Sequence, residues 1–125
     1  VLTFAFIYSF EKTFHVSTDL TYLELSDTNN TLLRELMSKA PGTFNHSMVI
    51  GNMVEEASTK IDANALLARV GAYYHDIGKT YYPEAFVENQ FNDVNIHDKP
   101  PPEESVKIIM SHVTKGIELA EDFGL

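Results

Sequence analysis

No cysteine occurs among the 125 residues. That excludes a disulfide framework and any thiolate-bound metal. A bound cation would have to be held by His, Asp, Glu or water. The absence also fits a reducing compartment. Basic residues are scarce: nine Lys and Arg stand against 18 Asp and Glu, a formal charge of -9. They are scattered from Lys12 to Lys115 without a run. Binding a nucleic-acid polymer needs a concentrated basic footprint to neutralise phosphates, so neither DNA nor RNA polymer is expected as a partner. A small anionic ligand is still compatible, because a bound metal cation would reverse the local field. Alternating strand patterns of useful length, repeats and low-complexity tracts are all missing. Length suits one domain with a single modest core.

What is present is mostly helix signal. Asp27, Asn29 and Asn30 can cap a helix over residues 31–39, whose Leu32, Leu33 and Leu36 share a face. Pro41 and Gly42 are expected to stop it. A second helix is expected over residues 45–60, with Val49, Met53, Val54 and Ala57 as its apolar stripe. Asp62 or Asn64 caps a third through Leu66, Leu67, Val70 and Tyr74, and Gly78 falls where a left-handed C-cap residue is wanted. Pro83 can open one short helical turn. Residues 89–98, rich in Asn and Asp, read as loop. Pro100, Pro101 and Pro102 form a rigid entry to a helix started by Glu103 and Glu104 and carrying Val106, Ile109 and Met110. A separate final helix over residues 114–123 is expected to end at Gly124. The fold class is all-α.

The first ten residues are nearly all apolar. As a helix they would cover ~15 Å, half of the ~30 Å of a bilayer core. A basic leader and a small-residue cleavage site are missing. Tyr8, Phe10 and Phe14 with Glu11 and Lys12 resemble a membrane-interface margin. The run reads equally as a buried N-terminal helix or as the end of a transmembrane helix. The Asn-X-Ser/Thr triplets at Asn29 and Asn45 carry no separate message.

Chemistry concentrates at His75 and Asp76, at the C-terminal end of a predicted helix. The helix terminus is partially negative and favours a cation, and a carboxylate has two oxygens with which to bridge two metals. His46 is expected in the first turn of the preceding helix, and His112 at the end of a later one. Helix ends converge on the clefts where bundle metal sites are built. A lone histidine of this kind is usually structural; three of them with Asp76 justify a metal hypothesis. Lys79 can meet a phosphate oxygen as a point charge, or remain a solvated lysine. His97, in a second His-Asp pair, is either structural or part of a substrate cleft. Of Tyr73 and Tyr74, one is expected in the core and the other is free to stack on a base. His15 is expected at an interface.

The order His46, His75-Asp76, His112 resembles the HD superfamily of metal-dependent phosphohydrolases. Residues 40–47 (APGTFNHS), 68–79 (ARVGAYYHDIGK), 95–99 (NIHDK) and 111–113 (SHV), with 21–27 (TYLELSD), resemble one branch of it. That branch is the seven-transmembrane receptors with a cytoplasmic HD domain, the PgpH-type cyclic-di-AMP phosphodiesterases. The resemblance spans about residues 10–125. It implies a partial HD helical bundle over residues 15–125, with residues 1–14 as the end of a transmembrane helix and its juxtamembrane segment. It implies an enzyme at the cell membrane, with this domain on the cytoplasmic side, hydrolysing cyclic di-AMP to linear pApA with two divalent cations, Mn or Fe. His46, His75 and Asp76 match ligands of one metal, Asp76 bridging, and His112 a ligand of the second. Asp76 and Lys79 are the expected catalytic residues, Lys79 and His97 the expected substrate contacts. Further family ligands, an adjacent histidine pair and a late aspartate, would follow Leu125, so the second metal position and catalysis by these residues alone are expected to be incomplete. Two rivals remain: an HD phosphohydrolase for another nucleotide, and a sensor domain that binds nucleotide or metal without turnover.

Overall fold

Asn30 accepts a hydrogen bond from the Leu32 amide through its side chain, satisfying one of the orphan donors at a helix start. From that cap runs Thr31–Lys39, and its Leu32, Leu33 and Leu36 are all buried. The computed structural model describes residues 2–14, 16–91 and 95–125. Six α-helices carry the described residues: α1 Leu2–Phe14, α2 Asp19–Leu25, α3 Thr31–Lys39, α4 Pro41–Lys60, α5 Ala65–Tyr74 and α6 Pro102–Asp122. Short 3-10 turns over Ile77–Tyr81, Pro83–Ala85, Val87–Asn89 and Ile96–Asp98 link α5 to α6. No strand occurs among the described residues, which bears out the all-α class.

The core joins α3, the turn after α5, and α6: Leu32, Leu36, Ala40, Ile77 and Leu119, with Phe44, Tyr74 and Ala120 packed on it. Helices α4 and α5 lie against each other, tied by Arg69 Nη1 to Glu55 Oε2 at 3.0 Å. Tyr73 is the core tyrosine; it is buried and its ring lies where any side chain on Gly51 would stand. Tyr74 is half-buried and donates its hydroxyl to the Leu25 carbonyl at 2.9 Å, tying α5 to α2. Helix α1 buries nothing; Leu2, Phe4, Phe6, Tyr8, Phe10 and Phe14 are exposed. The buried alternative for this segment is therefore set aside for residues 2–14. Val1 and His15 lie outside the described residues, so the interface expected of His15 is not among them.

Several expected boundaries are corrected. Pro41 does not lead into a loop but opens α4, because proline fits the first helical position, whose N–H has no partner to lose. His46 is consequently in the second turn of α4. The two expected C-terminal helices are one, α6, so His112 lies mid-helix. Gly116 passes within that helix without breaking it. Gly78 is no left-handed cap: it sits inside the Ile77–Tyr81 turn, and among the described residues positive φ occurs at Asp62 and Gly124. The 89–98 loop carries a 3-10 turn at Ile96–Asp98, capped by the Asn95 side chain; residues 92–94 are outside the described set.

Candidate functional site

Gly78 and Gly116 set the site. A methyl group on Gly78 would run into the His112 carbonyl and the Gly116 backbone. The missing side chain lets the turn after α5 touch α6 backbone to backbone. His112, Gly116 and Leu119 lie on one face of α6, at the three- and four-residue spacing of a helix stripe. Burying Leu119 and docking Gly116 on Gly78 therefore points His112 at the same turn. Ile77, buried in the core, holds that turn from below and leaves Asp76 facing α6.

Asp76 is the meeting point. Its Oδ2 lies 2.8 Å from Lys79 Nζ and 3.1 Å from His75 Nε2. Its Oδ1 lies 3.5 Å from His112 Nε2. Both imidazoles are pinned from behind: His75 Nδ1 on the Ala72 carbonyl, His112 Nδ1 on the Ile109 carbonyl. A carbonyl can only accept, so Nδ1 carries the hydrogen in each ring and Nε2 is the atom presented to the carboxylate. In the neutral ring that atom is a lone pair facing an oxyanion. Such an arrangement is favourable when a cation or a ring proton stands between the two. Burial alone would raise the Asp76 carboxyl, but hydrogen bonds from His75 and Lys79 outweigh it and hold it well below the usual carboxylate range. The hydrogen bond to Asp76 raises the His75 imidazole, against its burial.

His46, exposed on α4, brings its ring to 5.9 Å from the His75 ring, centre to centre. It lines a cavity of about 270 Å³ together with Lys79 and Glu88. Among the described residues no three His, Asp or Glu side chains are already closed to ligand spacing. The Lys79 ammonium instead occupies the Asp76 oxygen. The donor chemistry still fits a divalent cation: carboxylate and imidazole Nε2 groups, the latter oriented by backbone carbonyls as metal-ligating histidines commonly are.

Two further residues complete the wall. Phe86 meets His112 edge to face at 5.4 Å and lies under Lys79 Nζ at 4.5 Å. Glu88 Oε1 is 2.8 Å from Lys79 Nζ and also accepts from Thr43 Oγ1 at 3.0 Å. Asn89 locks Thr43 by accepting from its amide and donating to its hydroxyl. Gly42 permits this: any side chain there would collide with the Glu88 carbonyl. Neither Glu88 nor Phe86 was singled out from sequence; no spacing rule pairs them with Asp76, and only the fold does. His97, expected as a substrate contact, has its Nε2 on the Ala85 carbonyl at 3.0 Å and is not among the side chains that touch Asp76. It braces the segment that carries Phe86. A larger apolar cavity of about 470 Å³ also touches His75, but Tyr22, Leu25, Leu67, Ile117 and Leu125 around it supply little chemistry, so the smaller polar cavity is the better candidate.

An all-α domain gathering a His-Asp pair and a later histidine at one carboxylate is the architecture of HD domains. The HD-domain family profile matches residues 43–125, and the chain belongs to that family. Within it, the chain is 47% identical over 113 residues to the cyclic-di-AMP phosphodiesterase PgpH of Listeria monocytogenes, covering 90% of this chain and 16% of that protein. It is 46% identical over 114 residues to PgpH of Bacillus subtilis, covering 91% of this chain and again 16% of the relative. A crystal structure of the L. monocytogenes PgpH HD domain in complex with cyclic-di-AMP superposes with a TM-score of 0.75 at 47% identity, over 79% of this chain and 46% of that one. The chain thus spans about a sixth of the length of the curated relatives it matches.

Proposed function

We propose that this chain is part of a metal-dependent phosphodiesterase that hydrolyses cyclic di-AMP to pApA. The observation that carries it is the convergence of His75, His112 and Lys79 on the Asp76 carboxylate, with both rings oriented through Nδ1. Identity to two PgpH proteins, over nine-tenths of this chain, supports the substrate. His46, His75 and Asp76 would hold one divalent cation and His112 a second, with Asp76 shared; imidazole and carboxylate donors suit Mn or Fe. When bound, two such cations supply water activation and neutralisation of phosphoryl charge. Asp76, kept ionised by its neighbours, is ready to bind cations at neutral pH. Lys79 donates its ammonium to a non-bridging phosphate oxygen as charge develops there. Phe86 excludes water beside His112 and Lys79. His97 acts on substrate indirectly, through the Ala85–Phe86 segment.

The test is release of pApA from cyclic di-AMP by the full-length protein with added Mn or Fe, beside a panel of other cyclic dinucleotides and nucleotide mono- and triphosphates. Asp76→Ala is expected to lower turnover at least about 100-fold, beyond the loss typical of a supporting partner, and melting is followed alongside because emptying this buried, paired position also costs stability. Binding without hydrolysis would instead make the protein a sensor.

The exposed aromatic surface of α1 supports a second part of the proposal: the protein resides at the cell membrane, α1 adjoining a membrane-spanning segment and the HD domain facing the cytoplasm. No described helix is itself long and apolar enough to cross a membrane. Carbonate-resistant sedimentation, with protease access to Lys60 or Lys107 only from the cytoplasmic side, is the expected result.

A further inference from the structure

Lys79 is held by two carboxylates at equal distance, Asp76 Oδ2 and Glu88 Oε1, each 2.8 Å from Nζ. The two acids differ in how they are held. Asp76 also faces two imidazoles. Among the described residues no histidine pairs with Glu88, although His46 lines the same cavity; its other partner is Thr43 at the start of α4, itself fixed twice by Asn89. The Lys79 side chain is 13% exposed and that of Glu88 30%, so water does little to solvate either charge. The Phe86 ring beneath Nζ limits where the ammonium can go.

From this geometry we infer that Glu88 is a positioning residue: it shares the Lys79 ammonium with Asp76 and can hold it at the cleft wall when the aspartate takes a cation. The inference rests on the metal-dependent reading above. Asp76 cannot give the same oxygen fully to Lys79 and to a metal. With Glu88 present, Lys79 has a second, rigidly anchored acceptor and keeps a compensated charge when Asp76 is engaged elsewhere. From there it reaches the cavity it shares with His46 and Glu88. Without the Glu88 carboxylate, Lys79 has Asp76 as its one remaining acidic partner among the described residues and competes with the cation.

A double-mutant cycle separates this from a simple field effect, because contacting residues couple and independent ones add. Mn affinity of the full-length protein is measured for wild type, Glu88→Gln, Lys79→Met and the pair, with melting temperature as the check on folding. Glu88→Gln is expected to weaken Mn binding about fivefold in the presence of Lys79 and less than about twofold in the Lys79→Met background, the size of coupling seen for direct partners. Thr43→Val, which loosens the anchor and keeps the charge, is expected to move affinity the same way by less, and Glu88→Asp to restore it in part. Equal weakening by Glu88→Gln in both backgrounds would overturn the inference while leaving the metal site intact. Wild-type protein that binds Mn no better than Asp76→Ala would instead sink the metal-dependent reading, and this inference with it.

Discussion

Helix α1 carries five aromatic side chains in 13 residues and buries none of them; α3 carries three leucines among polar residues and buries all three. Apolar content alone therefore does not say which helix forms the core. What distinguishes α3 is arrangement: Leu32 and Leu36 form a stripe that the turn after α5 and Leu119 of α6 cover, and Leu33 is buried beside it. In α1 the aromatics are spread along the helix, with Phe10 meeting Phe6 and Phe14 of the same helix. The lesson for the site is direct. Its residues hang on the elements that meet the α3 stripe; α1 is tied to α2 by Thr21 and Glu11, and α2 to α5 by the Tyr74–Leu25 hydrogen bond.

The largest effect expected from this contrast is on stability. Leu36→Ala should cost about 2–5 kcal/mol, the range for emptying a packed leucine site, and lower Mn affinity with it, since Ile77 beside it steadies Asp76. Phe6→Ala, on α1, should change stability by less than about 0.5 kcal/mol, as exposed substitutions usually do. Denaturant midpoints of both variants decide the matter; similar losses would mean that α1 is packed in solution.

Gly78→Ala should come next. One methyl group must push α6 back from the turn, at about 1–3 kcal/mol for overpacking. Because His112 and Gly116 ride on the same face of α6, Mn affinity should fall more than stability suggests. Melting and Mn titration together check this. A variant that loses stability but binds Mn as wild type does would show that His112 is not held by the Gly78–Gly116 contact.

Gly78 also marks where sequence reasoning reached its limit. The α3 boundaries were legible because cap and stripe are both local: Asn30 and the leucines lie within seven residues. His75, Asp76, Lys79 and His112 were legible because the chemistry is written in residue type and order, and the fold does bring them together. The role of Gly78 was not legible, because a glycine after a helix looks the same whether it turns left-handed or admits a partner helix 38 residues later. The continuity of α6 between Met110 and Thr114 was not legible either: Ser111 and Thr114 turn their hydroxyls onto carbonyls of the same helix instead of ending it. Glu88 and Thr43 are 45 residues apart, and only the docking of the Val87–Asn89 turn on the start of α4 joins them.

The smallest effect concerns the one described side-chain hydrogen bond that ties the α2 side of the molecule to the residue before His75. Burial, aided by the charge of Asp27, raises the Tyr74 hydroxyl from 10.0 to about 12. The neutral phenol donates to Leu25, so Tyr74→Phe should cost about 1 kcal/mol near neutral pH, the usual net worth of such a bond. The pH dependence follows from the direction of the shift. The folded value lies above the unfolded one, so the contribution is fully present below pH 10 and is lost as pH rises toward 12, when the unfolded chain ionises first. Wild type should therefore lose stability over that window relative to Tyr74→Phe, and the gap between them should close and then reverse. The other tyrosines are common to both proteins and cancel in the difference. Urea midpoints of the pair, followed from neutral pH upward, measure it. A gap that stays constant through the window would mean that Tyr74 is solvated and that α2 is not tied to α5 at this point.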